Sequence, residues 1–392
     1  MTPHNRPKVL LVTPESPWPP LHGGRRRVAE LASAMATRLD VTVVHTSRGD
    51  DATHDDPHLR TVAVSSMNCN AFAGRLVGPR LGELFAAPLL PEITRLVSAG
   101  ADGIVWSHSY LAAYGVRRVS APVHVIDFAN IESERFRSFA LGAGTLKSRS
   151  SWLLEHLKAT VWEPKTARRA DLCLGICEQD MQWLKAHRAR AVLARNGLAP
   201  AIAVARSPTD GFVLAVANWA YKPNREGMLD FLDRVWRRVR SEVYGARLVI
   251  IGADGQCFAD AVSDTSVVAP GFVPDLAGWY ANSAVVLAPA KSGGGSQLKV
   301  AEAWAHGRIV VGPPYLSREQ REGLPEGALL ATPDLANVVV RTLTDVSARH
   351  AVESALAGYV GQHTWGNELG AALNEVCAVV AGGMSDRGLD PL

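Results

Sequence analysis

Residues 292–307 read SGGGSQLKVAEAWAHG, and this stretch decides how the whole chain is interpreted. It follows the short apolar run AVVLAP (284–289), which predicts a buried parallel strand, so the glycines form a strand-to-helix loop. Glycines at such a loop let backbone N–H groups close around an anion, and the helix N-terminus adds the positive end of its dipole. Lys299 in the first turn disfavours a bare helix by roughly 0.3–1 kcal/mol. A bound phosphate would explain its presence.

Glu302 stands one turn further along, among alanines and a tryptophan. A carboxylate there can accept two hydrogen bonds from the vicinal hydroxyls of a ribose whose phosphates lie on the loop. The alternative is a flexible loop before an amphipathic helix whose Glu302 faces water, but its apolar neighbours predict a mostly buried helix. The predicted donor-binding residues of this stretch are Gly293, Gly294, Gly295, Ser296, Gln297, Leu298, Lys299 and Glu302.

Length and composition predict two ordinary globular domains. A chain of 392 residues is too long for one comfortable core, and a net charge of +3 gives no reason to expect a nucleic-acid partner. The five cysteines are scattered, and the nearest pair, Cys173 and Cys177, lacks a second pair for zinc. The N-terminus carries no apolar run of signal-peptide length, and no run of 18 apolar residues occurs elsewhere. We therefore expect a cytoplasmic protein with no membrane-spanning helix.

Strand and helix patterns alternate twice along the chain. Buried strands are predicted at 8–14, 40–47, 103–108, 123–128 and 172–177, and again at 212–217, 246–252, 266–271, 284–289 and 308–313. Between the two series, residues 195–211 mix Gly, Pro and polar residues without a period, which is typical of a domain boundary. The pattern predicts two doubly wound parallel sheets with ligands beyond their carboxyl ends. The predicted domains are 1–200 and 201–362, followed by a helix at 363–380 packed back on the first domain and a mobile tail at 381–392.

GGGSQLKVAEAWAHGRIVVG resembles the donor-site segment of the retaining family 4 glycosyltransferases, which have the GT-B fold of two Rossmann-like α/β domains facing across a cleft. Similar segments occur in the family's order at VTPESPWPPLHGGRRRVAELASAMA, ARRADLCLGICEQDMQWLKA, ARNGLAP and GQHTWGNEL, so the resemblance covers about residues 7–380. It implies a retaining, metal-independent transfer of a sugar from a nucleoside diphosphate donor. A UDP-sugar would be the co-substrate, with no further cofactor.

The donor motif departs from the family pattern at two places. The family has two Glu eight residues apart; Glu302 matches the second, which the resemblance assigns to the ribose, and Gly294 stands at the first. The resemblance then leaves the sugar hydroxyls to backbone N–H groups of residues 295–297. The usual diphosphate-gripping Arg and Lys are replaced by Asn218 and Glu226. Lys222 or Arg225 on the same loop is expected to supply the charge, the alternative being that both are merely exposed.

The N-terminal domain is expected to hold the acceptor. His108 ends a predicted strand and resembles the family's active-site His, the alternative being a structural His; Asp127 is the second predicted catalytic residue. Glu132 and Glu134 could also orient an acceptor hydroxyl, or form an exposed helix start. Gly23 and Gly24 are predicted to bring backbone close to the diphosphate or the acceptor, although the dinucleotide fingerprint G-x-G-x-x-G is absent.

A predicted helix at 149–170, interrupted at Pro164, combines apolar and basic residues. It carries Trp152, Leu153, Leu157, Val161 and Trp162 beside Lys158, Lys165, Arg168 and Arg169. Such a helix can lie on an anionic membrane surface or pack its apolar side on the protein's own core, and the second interpretation is favoured.

The sequence thus predicts a sugar transferase and leaves its acceptor open among glycans, lipids and small natural products. Two alternatives remain. One is a non-catalytic GT-B protein that binds a nucleotide-sugar or stabilises a partner, because Gly294 and Asn218 replace family residues. The other is a GT-B nucleotide-sugar epimerase, which would need a cluster of carboxylates at the site to abstract a proton.

Overall fold

The computed structural model describes residues 6–20, 23–47, 56–65, 78–199, 206–258, 264–291 and 297–385. They divide into two compact units. The first holds the chain up to Asn196 together with the part from Trp365 onward, and the second holds the part between Gly197 and Thr364. The chain first passes from one unit to the other after Asn196, four residues before the boundary after residue 200 that the sequence predicts. The C-terminal helix belongs to the first unit.

The first unit is built on a seven-stranded parallel sheet in the order β3-β2-β1-β4-β5-β6-β7. Its strands are β1 Lys8–Thr13, β2 Asp40–Ser47, β3 Leu59–Ser65, β4 Gly103–Trp106, β5 His124–Phe128, β6 Leu172–Gly175 and β7 Ala191–Leu193. Its helices are α1 Gly23–Ala36, α2 Arg80–Ala86, α3 Leu90–Ser98, α4 Ser109–Gly115, α5 Glu132–Leu141, α6 Leu146–Ala167 and α7 Glu178–Ala186, with a 3-10 turn at Ala87–Leu89. The strand order reverses between β1 and β4, and open sheets of this type bind ligands beyond the carboxyl ends at that point.

The central strands of this sheet are buried on both faces, as parallel sheets require. In β1, five of the six residues of KVLLVT are buried, and β4 and β5 are buried throughout. Trp106 at the end of β4 packs against Gly115, where an added Cβ would stand 2.1 Å from the indole ring. This close approach fixes α4 on the sheet and therefore positions His108, the residue before α4.

The second unit is built on a six-stranded parallel sheet in the order β10-β9-β8-β11-β12-β13. Its strands are β8 Phe212–Val216, β9 Leu248–Ile251, β10 Val267–Gly271, β11 Ser283–Leu287, β12 Val310–Gly312 and β13 Leu329–Ala331. Its helices are α8 Lys222–Phe231, α9 Arg237–Glu242, α10 Ala277–Ala281, α11 Leu298–Ala305, α12 Leu335–Thr344 and α13 Val346–Gln362. A π-helical turn at Leu232–Trp236 joins α8 to α9, and a 3-10 turn at Pro314–Glu319 follows β12.

Gly227 brings α8 against the end of β11. An added Cβ at Gly227 would stand 2.0 Å from the Pro289 carbonyl oxygen, so no larger residue fits. An ion pair between Lys291 and Asp230, at 2.6 Å, connects the same two segments. The second half of α8 is thereby held against the chain that enters the glycine loop.

The helix α14, Trp365–Ser385, completes the first unit. Arg190 beyond β6 pairs with Glu375 at 2.8 Å, and Arg38 after α1 donates to the Asn374 side chain at 2.6 Å. Within the ranges that the structure describes, no helix combines the length and the apolar character needed to cross a membrane.

Two sequence predictions about elements are wrong. The helix predicted to be interrupted at Pro164 is continuous from Leu146 to Ala167. The carbonyl that loses its donor to Pro164 belongs to Thr160, an exposed residue, so water can satisfy it. The strands β3, β7 and β13 were also missed.

Candidate functional site

The N-terminus of α11 lies at the carboxyl edge of the second sheet. Gln297 caps the helix, and its backbone N–H donates to the Glu319 carboxylate at 2.9 Å. Glu319 is buried, at the end of the 3-10 turn after β12. A carboxylate in this place is stabilised by the positive end of the helix dipole. The predicted loop residues Gly293, Gly294, Gly295 and Ser296 lie outside the described residues.

Lys299 extends from the first turn of α11. Its Nζ donates to Asn224 Oδ1 at 2.6 Å, and the residue as a whole is half-buried. Burial of the ammonium lowers the pKa of Lys299 to about 8, and the charge of Glu319 only partly opposes this change. The ammonium is therefore held by a neutral amide oxygen in a place where water solvates it poorly. A bound anion would strongly stabilise the charged form of such a group.

Asn224 connects Lys299 to the loop after β8. It is buried, its Oδ1 accepts from Lys299, and its Nδ2 donates to the Asn218 carbonyl at 3.0 Å. Asn224 is the last residue of the segment YKPN (221–224) and was not among the predicted site residues. The contact with Lys299 spans 75 positions and could not be read from the local pattern.

The other predicted diphosphate ligands are exposed on the same loop and in the first turn of α8. Asn218 folds back so that its Oδ1 accepts from the Ala220 N–H at 3.0 Å. Lys222 lies 3.5 Å from Glu226 in an exposed ion pair, a kind of pair that constrains a side chain little. Arg225 is exposed as well. Of the predicted cations, Lys299 is the one held by a buried partner.

Glu302 lies on the same face of α11 as Lys299, three residues further along. It is half-buried, and its Oε2 accepts from the Tyr280 hydroxyl at 3.3 Å. Tyr280 is fully buried and stacks on His306, with ring centroids 4.4 Å apart and planes 8° from parallel. Tyr280 therefore orients Glu302, a role that sequence reasoning missed.

His108 lies at the carboxyl edge of the first sheet. It is the extended residue that caps α4, half-buried, with its Nδ1 2.9 Å from Ser107 Oγ. Its ring is 5.0 Å from that of Tyr110, measured between centroids. The location is the one predicted: the end of β4, beside the point where the strand order reverses.

Asp127 is a buried ion-pair partner and does not present its carboxylate at the edge of the sheet. Its side chain is fully buried, and its two oxygens accept from Arg27 at 2.8 and 2.5 Å. Arg27 also donates to Asn196 Oδ1 at 2.8 Å, which gives the Asn of the ARNG segment a structural role. The predicted catalytic use of Asp127 is thus corrected: Arg27 occupies both oxygens that would orient an acceptor.

Two further carboxylates lie buried at this edge. Glu163 on α6 accepts from Ser109 Oγ at 2.9 Å and from the N–H groups of Glu132 and Ser133 at 2.8 and 3.0 Å. Burial raises the pKa of Glu163 to about 7, against the effect of these donors. Burial also raises the pKa of Glu132, which pairs with Arg135 at 3.1 Å.

The remaining predicted residues of the first unit are exposed. Glu134 is exposed on α5, and Gly23 and Gly24 are the exposed first residues of α1. The next residue, Arg25, is buried and pairs with Glu15 at 2.8 Å. The Gly23–Gly24 backbone therefore lies at the carboxyl edge, beside the loop that follows β1.

Comparison with known proteins gives a family match in the second unit. Residues 211–345 match the family model described as "Glycosyl transferases group 1". This range contains α8, Lys299 and Glu302. A search of curated protein sequences gives no match.

Solved structures are similar over nearly the whole chain. HepE from Anabaena, in complex with UDP and glucose, has a TM-score of 0.64 at 15% identity, with 94% of this chain and 99% of that chain covered. The α,α-trehalose 6-phosphate synthase from Burkholderia multivorans has a TM-score of 0.63 at 13% identity, covering 96% and 98%. A UDP-forming α,α-trehalose-phosphate synthase from Burkholderia xenovorans, in complex with glucose-6-phosphate, has a TM-score of 0.63 at 10% identity, covering 94% and 99%.

The two doubly wound units and these likenesses define the GT-B fold. The match of the second unit to the group 1 model makes the protein a glycosyltransferase, as the sequence predicts.

Proposed function

We propose that the protein transfers a sugar from UDP-sugar to an acceptor hydroxyl with retention of configuration at the anomeric carbon. The observation that carries the proposal is the presence of Lys299 and Glu302 on the same face of α11, each with its own supporting partner. A cation held by Asn224 stands at the helix N-terminus, and a carboxylate held by Tyr280 stands one turn further along. Together they suit a diphosphate joined to a ribose.

The diphosphate is assigned to the N-terminus of α11 and the Lys299 ammonium. Both favour negative charge, and that charge increases on the leaving oxygen as the bond to the sugar breaks. In this proposal no metal is needed, because the helix dipole and Lys299 neutralise the leaving group. Lys222 and Arg225, exposed at the start of α8, would add positive charge on the same side.

The ribose is assigned to Glu302. An ionised carboxylate has about four acceptor positions, so Glu302 can accept from a ribose hydroxyl in addition to the Tyr280 hydroxyl. UDP is proposed as the nucleotide because HepE is solved with UDP and one trehalose-phosphate synthase is UDP-forming. These are properties of the structural neighbours, and they support the choice of nucleotide only through the shared fold.

In the proposed reaction, the bond between the anomeric carbon and the diphosphate oxygen breaks, and a bond to the acceptor oxygen forms on the same face of the sugar. The acceptor proton passes to the departing diphosphate oxygen, so no protein base is required. His108 is assigned to the hydroxyls of the transferred sugar, because its imidazole can donate or accept a hydrogen bond. The acceptor itself, whether glycan, lipid or small natural product, is assigned to the carboxyl edge of the first sheet near Gly23 and Gly24.

A second candidate function is binding of a nucleotide-sugar without transfer. Gly294 in place of a Glu and Asn218 in place of an Arg favour it, since both replace side chains that the resemblance assigns to the donor. An epimerase is less well supported, because the carboxylates at the edge of the first sheet are engaged in buried contacts. Release of nucleoside diphosphate in the presence of an acceptor distinguishes transfer from binding.

The test is calorimetric titration of the full chain with UDP, GDP and TDP. We expect micromolar binding of UDP, and a loss of about 10- to 100-fold in Glu302→Ala, since a charge-assisted hydrogen bond contributes about 1.5–3 kcal/mol. Glu326→Ala is the matched control, because Glu326 is an exposed carboxylate elsewhere on the same unit.

Binding of none of the three nucleotides would overturn the donor site. Binding of UDP with unchanged affinity in Glu302→Ala would overturn the role of the carboxylate. Once a nucleotide is identified, its sugar conjugates are supplied with candidate acceptors, and the anomeric configuration of the product is read by NMR. An inverted product would overturn retention.

A further inference from the structure

The outer face of α6 carries aliphatic side chains that the fold does not bury. Leu153, Leu157 and Val161 are 47%, 55% and 53% exposed, and Leu146 is 85% exposed. Sequence reasoning favoured burial of this helix's apolar side, and the structure confirms this only for Trp162, with Trp152 partly buried. The prediction is wrong for the aliphatic residues, because α6 is apolar on two faces and the core takes one of them.

The exposed residues form a continuous stripe. At 100° per residue, Leu146, Leu153, Leu154, Leu157 and Val161 fall within an arc about 100° wide. The stripe extends onto the end of α5, where Leu141 is 69% exposed. Exposed aliphatic residues scattered singly need no explanation, whereas a contiguous apolar stripe marks an interaction surface.

An apolar pocket opens beside this stripe. It has a volume of about 150 Å³ and lies between the end of α5 and the first half of α6. Its lining is Arg137, Ala140, Leu141, Arg149, Leu153 and His156. Two arginines therefore frame an apolar recess, an arrangement suited to a ligand with an anionic group and a hydrocarbon part.

The charge of this segment is strongly positive. Residues 137–169 contain seven Lys or Arg against two Asp or Glu, a net charge of +5 in a chain of net charge +3, so the remainder carries −2. Neither acid offsets the exposed charge, because Glu155 pairs with Lys158 at 2.6 Å and Glu163 is buried. Six of the cations are exposed: Arg137, Lys147, Arg149, Lys165, Arg168 and Arg169.

We propose that the α5–α6 surface, defined as the exposed stripe with its six flanking cations, docks on a membrane that contains anionic lipids. The leucines enter the boundary between headgroups and acyl chains, and the cations contact lipid phosphates. On the helix, Lys147 and Lys165 lie about 70° from the centre of the stripe on one side, and Arg149 lies about 90° from it on the other. Cations on both flanks of an apolar stripe are typical of a helix that lies in the membrane interface.

Charge complementarity selects this occupant over a second copy of the chain. A two-fold dimer through the α5–α6 surface would place the same positive surface against itself, and like charges disfavour that contact. An anionic lipid surface instead neutralises the cations while it covers the leucines. The inference does not rest on the proposed transferase function, because its evidence and its test concern α5 and α6 alone.

The test is sedimentation of the full chain with vesicles of phosphatidylcholine alone or with roughly 30% phosphatidylglycerol. We expect binding to the anionic vesicles at least about tenfold stronger than to the neutral ones, and weaker binding at high salt. The double variant Leu153→Gln/Leu157→Gln should bind the anionic vesicles at least about tenfold more weakly. Arg168→Gln/Arg169→Gln should bind the anionic vesicles about 25-fold more weakly, at about fivefold for each cation.

Matched controls lie on the second unit. Leu229 is a 45% exposed leucine of α8, and Arg234 and Arg237 are exposed cations nearby. Leu229→Gln and Arg234→Gln/Arg237→Gln should leave vesicle binding unchanged. Circular dichroism and the melting temperature show that each variant is folded, as expected for substitutions at exposed sites.

Three results would overturn the proposal. One is an absence of binding to either vesicle, or equal binding to both. Another is unchanged binding of the leucine variant, which would leave only adsorption by charge. The third is a dimer in vesicle-free solution that Leu153→Gln/Leu157→Gln dissociates, which would assign the surface to a second copy of the chain.

Discussion

The carboxyl edges of the two sheets have the same architecture and different electrostatics. At the second sheet, the Lys299 ammonium has a neutral amide oxygen as its partner and a lowered pKa, and the buried Glu319 lies at the N-terminus of the same helix. At the first sheet, two buried carboxylates, Glu132 and Glu163, both have a raised pKa. An anionic ligand is stabilised at the second edge and disfavoured at the first.

This difference indicates how one fold repeated twice can hold two different substrates. The architecture fixes where ligands bind, beyond the carboxyl ends of the strands, and the side chains decide which charge is accepted there. A diphosphate suits the edge with Lys299. The edge with the buried acids suits an uncharged acceptor hydroxyl if those acids stabilise the fold and do not take part in the reaction.

Asp127→Asn should give the largest effect and tests whether the acids of the first sheet are structural. Replacing one partner of the buried pair with Arg27 should lower the free energy of unfolding by about 3–5 kcal/mol. Urea denaturation measures it. The double variant Arg27→Met/Asp127→Leu should recover most of the loss, because no uncompensated charge then remains.

A different result would reassign Asp127. If Asp127→Asn kept its stability and lost transfer activity, the carboxylate would act on the substrate, and the contrast between the two edges would no longer hold.

Glu163→Gln should change how stability depends on pH. Because the folded pKa lies above the ordinary value of 4.5, the folded chain binds more protons than the unfolded chain between pH 4.5 and about 7. The contribution of Glu163 is therefore fully present below pH 4.5 and lost as the pH rises towards 7. The variant should lack this loss, so its stability relative to wild type should rise by about 2–3 kcal/mol between about pH 5 and 8.

Denaturation of both proteins across this pH range gives the measurement. The single amide oxygen of the variant can accept from the Glu132 N–H and the Ser109 hydroxyl, whereas the Ser133 N–H, which donates to the other carboxylate oxygen, loses its acceptor. This loss lowers the stability of the variant equally at every pH and leaves the pH dependence as the quantity to compare. A parallel pH dependence in the two proteins would show that Glu163 does not titrate in this range.

Asn224→Ala should give the smallest effect and tests the support of the donor cation. The loss of one hydrogen bond to Lys299 should weaken nucleoside diphosphate binding about fivefold to tenfold, or about 1 kcal/mol. Calorimetry measures the affinity. Asn337→Ala, at an exposed position on α12, is the matched control and should bind as wild type does. Equal affinities in the two variants would remove Asn224 from the site.

The central strands of both sheets could be predicted from sequence, and several edge strands could not. The strands β1, β4, β8 and β11 are largely continuous apolar runs because neighbouring strands and helices cover them. The missed strands β3, β7 and β13 stand at sheet edges. β3 reads LRTVAVS with one fully buried residue, and a half-exposed strand has no need of an apolar run.

Part of the candidate site could likewise be predicted from the sequence, and part could not. Lys299 and Glu302 were predicted because a local pattern, glycines before a helix with a cation in its first turn, implies a ligand. Their supports were missed, since Asn224 lies 75 positions from Lys299 and Tyr280 lies 22 from Glu302. Asp127 was misassigned for the same reason, as its partner Arg27 is 100 positions away. A single sequence records each residue, but the fold determines its partner.

The most direct test of the account is the pH dependence of UDP affinity between about pH 7 and 9.5, in wild type and Lys299→Arg. The free protein loses the Lys299 proton near pH 8, whereas the diphosphate needs the ammonium. Wild-type affinity should therefore fall about tenfold per pH unit above about 8. Lys299→Arg keeps its charge throughout and should show no such fall. A flat profile in wild type, or the same fall in both proteins, would contradict the claim that Lys299 holds the donor diphosphate.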